Sequence, residues 1–240
     1  SAEIGPYDNF TFTKTGNELK SWWATLYMGI KRANVVIEKV PAIDMDATLR
    51  NRYIAEAKFL RALFYFDLVR AWGDVPLILT TNPGNNLVRT PKADIYKQIK
   101  DDLLSAISGL DERNAQPTAE LGRATKGSAK ALLAKVYLFD GDFVNAEKYA
   151  LEVINSTQYG LEPLFINASS VDGEHGIESV FEIGAIGLEA AGAIKCFELG
   201  KCAHFESPLR EVGKSAIWHI SRGCCHRCVV TWRYAARPLD

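Results

Sequence analysis

The sequence predicts an all-α fold built from antiparallel helical hairpins. Three observations carry this. Long segments place apolar residues three and four apart, glycine and proline punctuate the ends of those segments, and one short stretch alone alternates as a strand does. With 240 residues and 48% apolar content the chain has enough material for a substantial core.

Thr15 and Glu18 have the spacing of a capping box, which opens a periodic segment to about Val40. Its stripe reads Leu19, Trp22/Trp23, Leu26/Tyr27, Ile30, Ala33, Ile37 and Val40, and Pro41 stops it. A second helix runs from about Ala47 to Trp72. Tyr53, Ala57, Leu60, Phe64 and Leu68 form one stripe, widened by Phe59, Ala62, Leu63, Phe66 and Val69. A surface that broad predicts burial on two sides. Gly73-Asp74-Val75-Pro76 ends it, with glycine free to take a left-handed exit and proline unable to continue.

Thr90-Pro91 predicts the start of a third helix, with a hydroxyl cap and proline in the first turn, and Tyr96, Ile99, Leu103, Ile107 and Leu110 as its stripe. A polar loop spans Asp111 to Gly122. Thr125 caps a fourth helix to about Phe139, and Asp142 caps a fifth to about Asn155. Asp140-Gly141 alone separates them, so the two must be antiparallel neighbours. Leu133, Ala134, Tyr137, Gly141, Phe143, Ala146 and Ala150 have the spacing of a tetratricopeptide unit, with small residues where helices cross and an aromatic filling the gap. Glu178 to Ile183 alternates and reads as a short β segment.

Composition narrows function. Lys plus Arg number 28 against 29 Asp plus Glu, a net charge of -1 with no electrostatic footprint for nucleic acid or an anionic membrane. No apolar run approaches the roughly 20 residues of a membrane span, and the first ten residues lack a secretory pattern. The chain begins at Ser1 and is expected to be a piece whose targeting signal and lipid anchor lie upstream. Composition shifts near residue 190: all five cysteines (Cys196, Cys202, Cys224, Cys225, Cys228) and His204, His219 and His226 lie beyond it. Cys224-Cys225-His226-x-Cys228 has soft ligands but not two Cys-x-x-Cys knuckles, so no metal site is expected.

Several segments together resemble the RagB/SusD family of outer-membrane nutrient-binding lipoproteins of the starch-utilisation type. They are Trp23-x-x-x-Tyr27-x-x-Ile30-x-x-Ala33-Asn34, Ala55-Glu56-Ala57-Lys58-Phe59-Leu60-Arg61-Ala62, Tyr65-Phe66-x-Leu68 and Gly73-Asp74-Val75-Pro76-Leu77, followed by Arg123 to Leu138 and Glu178 to Ile183. The resemblance covers roughly residues 10 to 189. It implies a SusD-like domain over 1–189 that captures oligosaccharides at the cell surface and hands them to a TonB-dependent (SusC-like) outer-membrane transporter, with no enzymatic activity and no cofactor. The stretch 190–240 does not match and reads as out of frame or disordered.

Trp22, one position off the helical stripe, is the aromatic expected to reach solvent and stack on a sugar ring, while Trp23 and Trp72 are expected in the core. Tyr7 and Asn9, in the loop before the first helix, are further ligand-binding candidates. Glu56, Arg61, Asp67, Arg70 and Asp74 could be read as paired acids of a glycoside hydrolase, yet Asp67 and Arg70 are helix neighbours suited to an ion pair. The body contains one histidine, His175, and no nucleophile elbow, phosphate loop or zinc-protease motif. A tetratricopeptide-type adaptor that binds a peptide or protein is the alternative from another class.

Overall fold

The computed structural model describes residues 9, 11, 13, 16–164, 167–168, 173–183 and 230–232. Five α-helices dominate: α1 (Asn17–Lys39), α2 (Ala47–Trp72), α3 (Lys92–Gly109), α4 (Lys126–Asp140) and α5 (Phe143–Ile154). Each packs on the next in sequence. They fall in one compact unit, residues 13–116 with 124–156; a second unit comprises 1–12, 117–123 and 157–240.

The helix ends follow local chemistry. The α1 helix begins at Asn17 with Gly16 at its N-cap and no side-chain cap, so the expected Thr15 capping box is not the start. At its far end Pro41 turns the chain into a single 3-10 turn, Val40–Ala42. Asp46 caps α2 by accepting from the Leu49 amide at 2.8 Å. Gly73 ends α2 at φ 72°, a backbone angle that a side chain would strain. The start of α3 differs from expectation. Pro91 is its N-cap, and the hydroxyl of Thr90 does not serve; the cap comes from Asp74, whose carboxylate accepts from the Lys92 amide at 2.8 Å. A cap donated from across a loop is invisible to local sequence reading. In α4, Thr125 and Ser128 form a reciprocal capping box, and Asp142 caps α5 through the Asn145 amide, both at the predicted positions.

Specific contacts fix the helix directions. Between α1 and α2 they run from Trp22–Trp72 to Asn34–Arg61, so one number rises as the other falls and the helices are antiparallel. Between α2 and α3 they run from Phe66–Tyr96 through Arg61–Asp102 to Lys58–Ser105, again antiparallel. The α2 helix is sandwiched, as its broad apolar surface predicted: Ala55, Phe59, Ala62, Tyr65, Phe66 and Leu68 are buried around it. Close approach is built in where α3 ends. A Cβ at Gly109 would lie 2.9 Å from the Cβ of Ala55 and 3.3 Å from the carbonyl oxygen of Asn51.

The α4–α5 hairpin has the predicted antiparallel form, with Tyr137 and Tyr149 stacked at 5.7 Å and Lys130 bridging to Glu152 at 3.0 Å. Phe143, placed by its spacing within the tetratricopeptide pattern, does not fill the gap between helices; it is 65% exposed. The expected β segment is shorter than its alternating pattern. The strand β1 covers Phe181–Ile183 and pairs antiparallel with β2, Val230–Trp232, in the register Phe181–Trp232, Glu182–Thr231, Ile183–Val230. The rest of 190–240, including the cysteines and tail histidines, lies outside the described residues.

Candidate functional site: an aromatic platform

Trp22 and Trp23 stand in the second turn of α1, and Trp72 is the last residue of α2. Antiparallel packing brings these distant helix ends together. The Trp22 and Trp72 ring centroids are 4.9 Å apart at 50°, and Trp23 meets Trp72 edge-on at 5.1 Å and 84°. Trp22 is exposed, at 42%, as expected. Trp23 and Trp72 are half-buried, which corrects their assignment to the core. Their stripe is apolar, but at the ends of the two helices it is only partly covered, and the same pattern that buries Leu26 and Ile30 leaves tryptophan half open.

The aromatic column continues inward. Trp23 lies 5.0 Å from Tyr27, and Tyr27 meets the fully buried Tyr65 edge-on at 6.5 Å. Both phenols grip the loop that follows α2. Tyr27 donates to the Pro76 carbonyl at 2.8 Å; Tyr65 donates to the Ile78 carbonyl at 2.9 Å and accepts from the Ile78 amide at 2.6 Å. Burial raises the Tyr27 phenol, with Tyr65 adding to it, and burial pushes Tyr65 up to about 12. Both stay neutral hydrogen-bond donors across the physiological range.

Beneath the loop is a buried polar network that sequence reading missed. Arg61 donates to both oxygens of Asp102, at 2.8 Å each, and a third bond of 2.8 Å reaches the Asn34 side-chain oxygen. The Asn34 amide donates in turn to the carbonyls of Ile78 and Thr80, at 3.0 and 3.2 Å. Gln98 adds a bond to Asp102 at 3.2 Å. Three helices and the loop are thus tied at one guanidinium. The loop closes on itself through a Val75–Thr90 bridge, and Glu38 accepts from the Thr81 amide at 2.8 Å. The Thr81 hydroxyl also donates to Glu38, and this bond together with the amide bond holds the Glu38 carboxyl below its usual range.

The remaining sequence candidates fall elsewhere. Tyr7 lies outside the described residues. Asn9 is an exposed turn residue of the second unit. The acidic residues of α2 and of the loop after it are engaged structurally: Glu56 pairs with Arg52, Asp67 pairs with Arg70 as its spacing predicted, and Asp74 caps α3. His175, in the second unit, donates its backbone amide to Glu182, which also accepts from Ser179, at 2.9 Å each. Among the described residues no cluster of three or more His, Cys, Asp or Glu could hold a metal.

Fold and platform together define a class, an all-α scaffold of helical hairpins that presents tryptophan at a helix-end seam. Residues 7–138 match the SusD-like_3 family, described as starch-binding and associating with the outer membrane. The chain belongs to the SusD-like family. It is 33% identical over 190 residues to SusD-like protein P2 of Formosa agariphila, covering 75% of this chain and 36% of that protein. It is 30% identical over 143 residues to the starch-binding protein SusD of Bacteroides thetaiotaomicron, covering 56% of this chain and 25% of that one. Among solved structures, a laminarin-binding SusD-like protein superposes with a TM-score of 0.72 at 34% identity, over 77% of this chain and 41% of its own. A structure with xylogluco-oligosaccharide superposes at 0.66 and 28% identity, over 74% and 37%. The chain therefore spans well under half the length of these relatives.

Proposed function

We propose that this chain takes part in non-catalytic capture of oligosaccharides at the outer-membrane surface and their delivery to a TonB-dependent transporter, with the Trp22–Trp72 seam as a sugar-contacting surface. The observation that carries the reading is the exposed indole of Trp22, braced by Trp72 at 4.9 Å. An indole face matches the apolar C–H face of a pyranose, and bracing it lowers the entropy lost on stacking. The names of the relatives, starch-binding and laminarin-binding, and the xylogluco-oligosaccharide in a third, support a glycan as ligand. In this reading the family-bearing part ends near residue 189, and attachment to the membrane is by a lipid anchor. No helix among the described residues is long and apolar enough to cross a membrane.

The test is isothermal titration with laminari- and xylogluco-oligosaccharides, with reducing-end release followed in parallel. Saturable binding without product is the expected result, and Trp22→Ala should weaken it by about tenfold, the loss of one stacking contact. Release of reducing ends would replace a binder by a hydrolase. Unchanged affinity in Trp22→Ala would move the sugar contact away from this seam.

A further inference from the structure

The ion pair between Arg70 and Asp67, near the C-terminal end of α2, is not closed. Arg70 Nε donates to the Phe66 carbonyl at 3.4 Å, and Nη2 donates to Asp67 Oδ1. Among the described residues nothing bonds the Arg70 Nη1 or the Asp67 Oδ2. Both side chains reach solvent, at 29% and 22% exposure, so one ion pair offers an open donor and an open acceptor. An aromatic ring flanks it. Phe139, near the end of α4, is 51% exposed and stands edge-on to the buried Phe66 at 5.5 Å and 89°. The Arg70 guanidinium lies 4.5 Å from the centre of the Phe66 ring and 5.5 Å from that of Phe139. Tyr96 holds Phe66 in turn, edge-on at 6.5 Å. Ring, donor and acceptor are thus supported from the interior.

These three groups match one class of ligand. A phenyl ring takes the apolar C–H side of a pyranose. A hydroxyl both donates and accepts, so neighbouring sugar hydroxyls satisfy the open nitrogen and the open oxygen together. Charge selects against other ligands: an anion meets Asp67, a cation meets Arg70, and the pair as a whole is neutral. We infer that Phe139, Arg70 and Asp67 form a second contact for an uncharged glycosyl unit, where α2 meets α4. The inference rests on the proposed capture of glycans but not on Trp22. Positions 70 and 72 point about 200° apart around a helix, and Trp72 turns to α1 while Arg70 turns to α4.

Nitrogen–proton correlation spectra of the labelled whole chain, titrated with laminari- and xylogluco-oligosaccharides, test it site by site. The Arg70 Nε–H and Trp22 indole N–H signals report the two places separately, each assigned by its loss in Arg70→Lys and Trp22→Phe. The Arg70 signal should shift to saturation. Phe139→Leu keeps an apolar side chain against Phe66 but removes the flat ring, and should weaken that saturation by about fivefold while the Trp22 response stays. Circular dichroism on each variant verifies that the helices remain. An Arg70 signal that stays still while Trp22 responds, or one that saturates equally well in Phe139→Leu, would overturn the second contact and leave glycan capture standing. Silence at both signals would remove glycan capture from this chain and the second contact with it. A response at Arg70 alone would keep the contact at Phe139 and dismiss the tryptophan seam.

Discussion

Arg61 carries more of this structure than its place in the sequence suggests. Its guanidinium and the Asp102 carboxylate are both buried, with side chains 6% and 4% exposed, and they meet through paired bonds of 2.8 Å. Such a pair contributes modestly against a well-packed apolar replacement, but breaking it leaves a charge buried without its counterion. Arg61→Met should therefore cost about 3–5 kcal/mol in urea unfolding, whereas Arg61→Met with Asp102→Leu should recover much of that loss. A double variant no more stable than the single would show that the stabilisation comes instead from the bonds to Asn34. Nothing in the local sequence marks Arg61 as interior. A basic residue on a helix is read as solvated, and its partners lie 27 and 41 positions away. Trp23 and Trp72 were misplaced for the opposite reason: periodicity gave their face correctly, as it gave the exposure of Trp22, but exposure at a helix end depends on where the neighbouring helix stops.

At the scale of elements, extents were largely readable and junctions were not. Periodicity with the Thr125 and Asp142 caps marked α4 and α5, and periodicity alone marked α2, because those signals are local; the Asp46 cap of α2 emerged only in the structure. The start of α3 was misread since its cap, Asp74, belongs to the previous loop. Glu178 to Val180 alternate with the strand that follows but form turns and a bend, and the strand begins only at Phe181. The α2–α3 junction offers a direct test. Gly109 faces Ala55 and the Asn51 carbonyl, neither of which can withdraw without moving α2 itself. Gly109→Ala should destabilise the protein by about 1–3 kcal/mol despite the roughly 1 kcal/mol gain in helix propensity. A stabilised variant in thermal melts would show that the α2–α3 contact has slack.

For the molecule as a whole, the pH dependence of stability depends in part on Lys135. It is buried in α4, and burial, reinforced by the Arg70 guanidinium and opposed by Asp67, pushes its amine down to about 7 from 10.5. Between those values the unfolded chain holds a proton that the folded one has shed, so this group makes stability rise with pH across the window and imposes its full cost below about 7. Lys135→Met should raise the free energy of unfolding in urea most near pH 6, by an amount on the order of 2 kcal/mol or more, with the gain shrinking toward pH 10. A gain independent of pH would mean the amine stays charged inside the fold.

The loop between α2 and α3 is held at both ends by the Val75–Thr90 bridge and along its length by Tyr27, Asn34, Glu38 and Tyr65. Trp72 sits where that loop departs, so the ring bracing Trp22 is anchored to ties that reach the middle of the bundle. For the sugar contact proposed at Trp22, these ties fix the support of the ring before binding, so differences among ligands of one size are expected in how long each stays, not in how quickly each is caught.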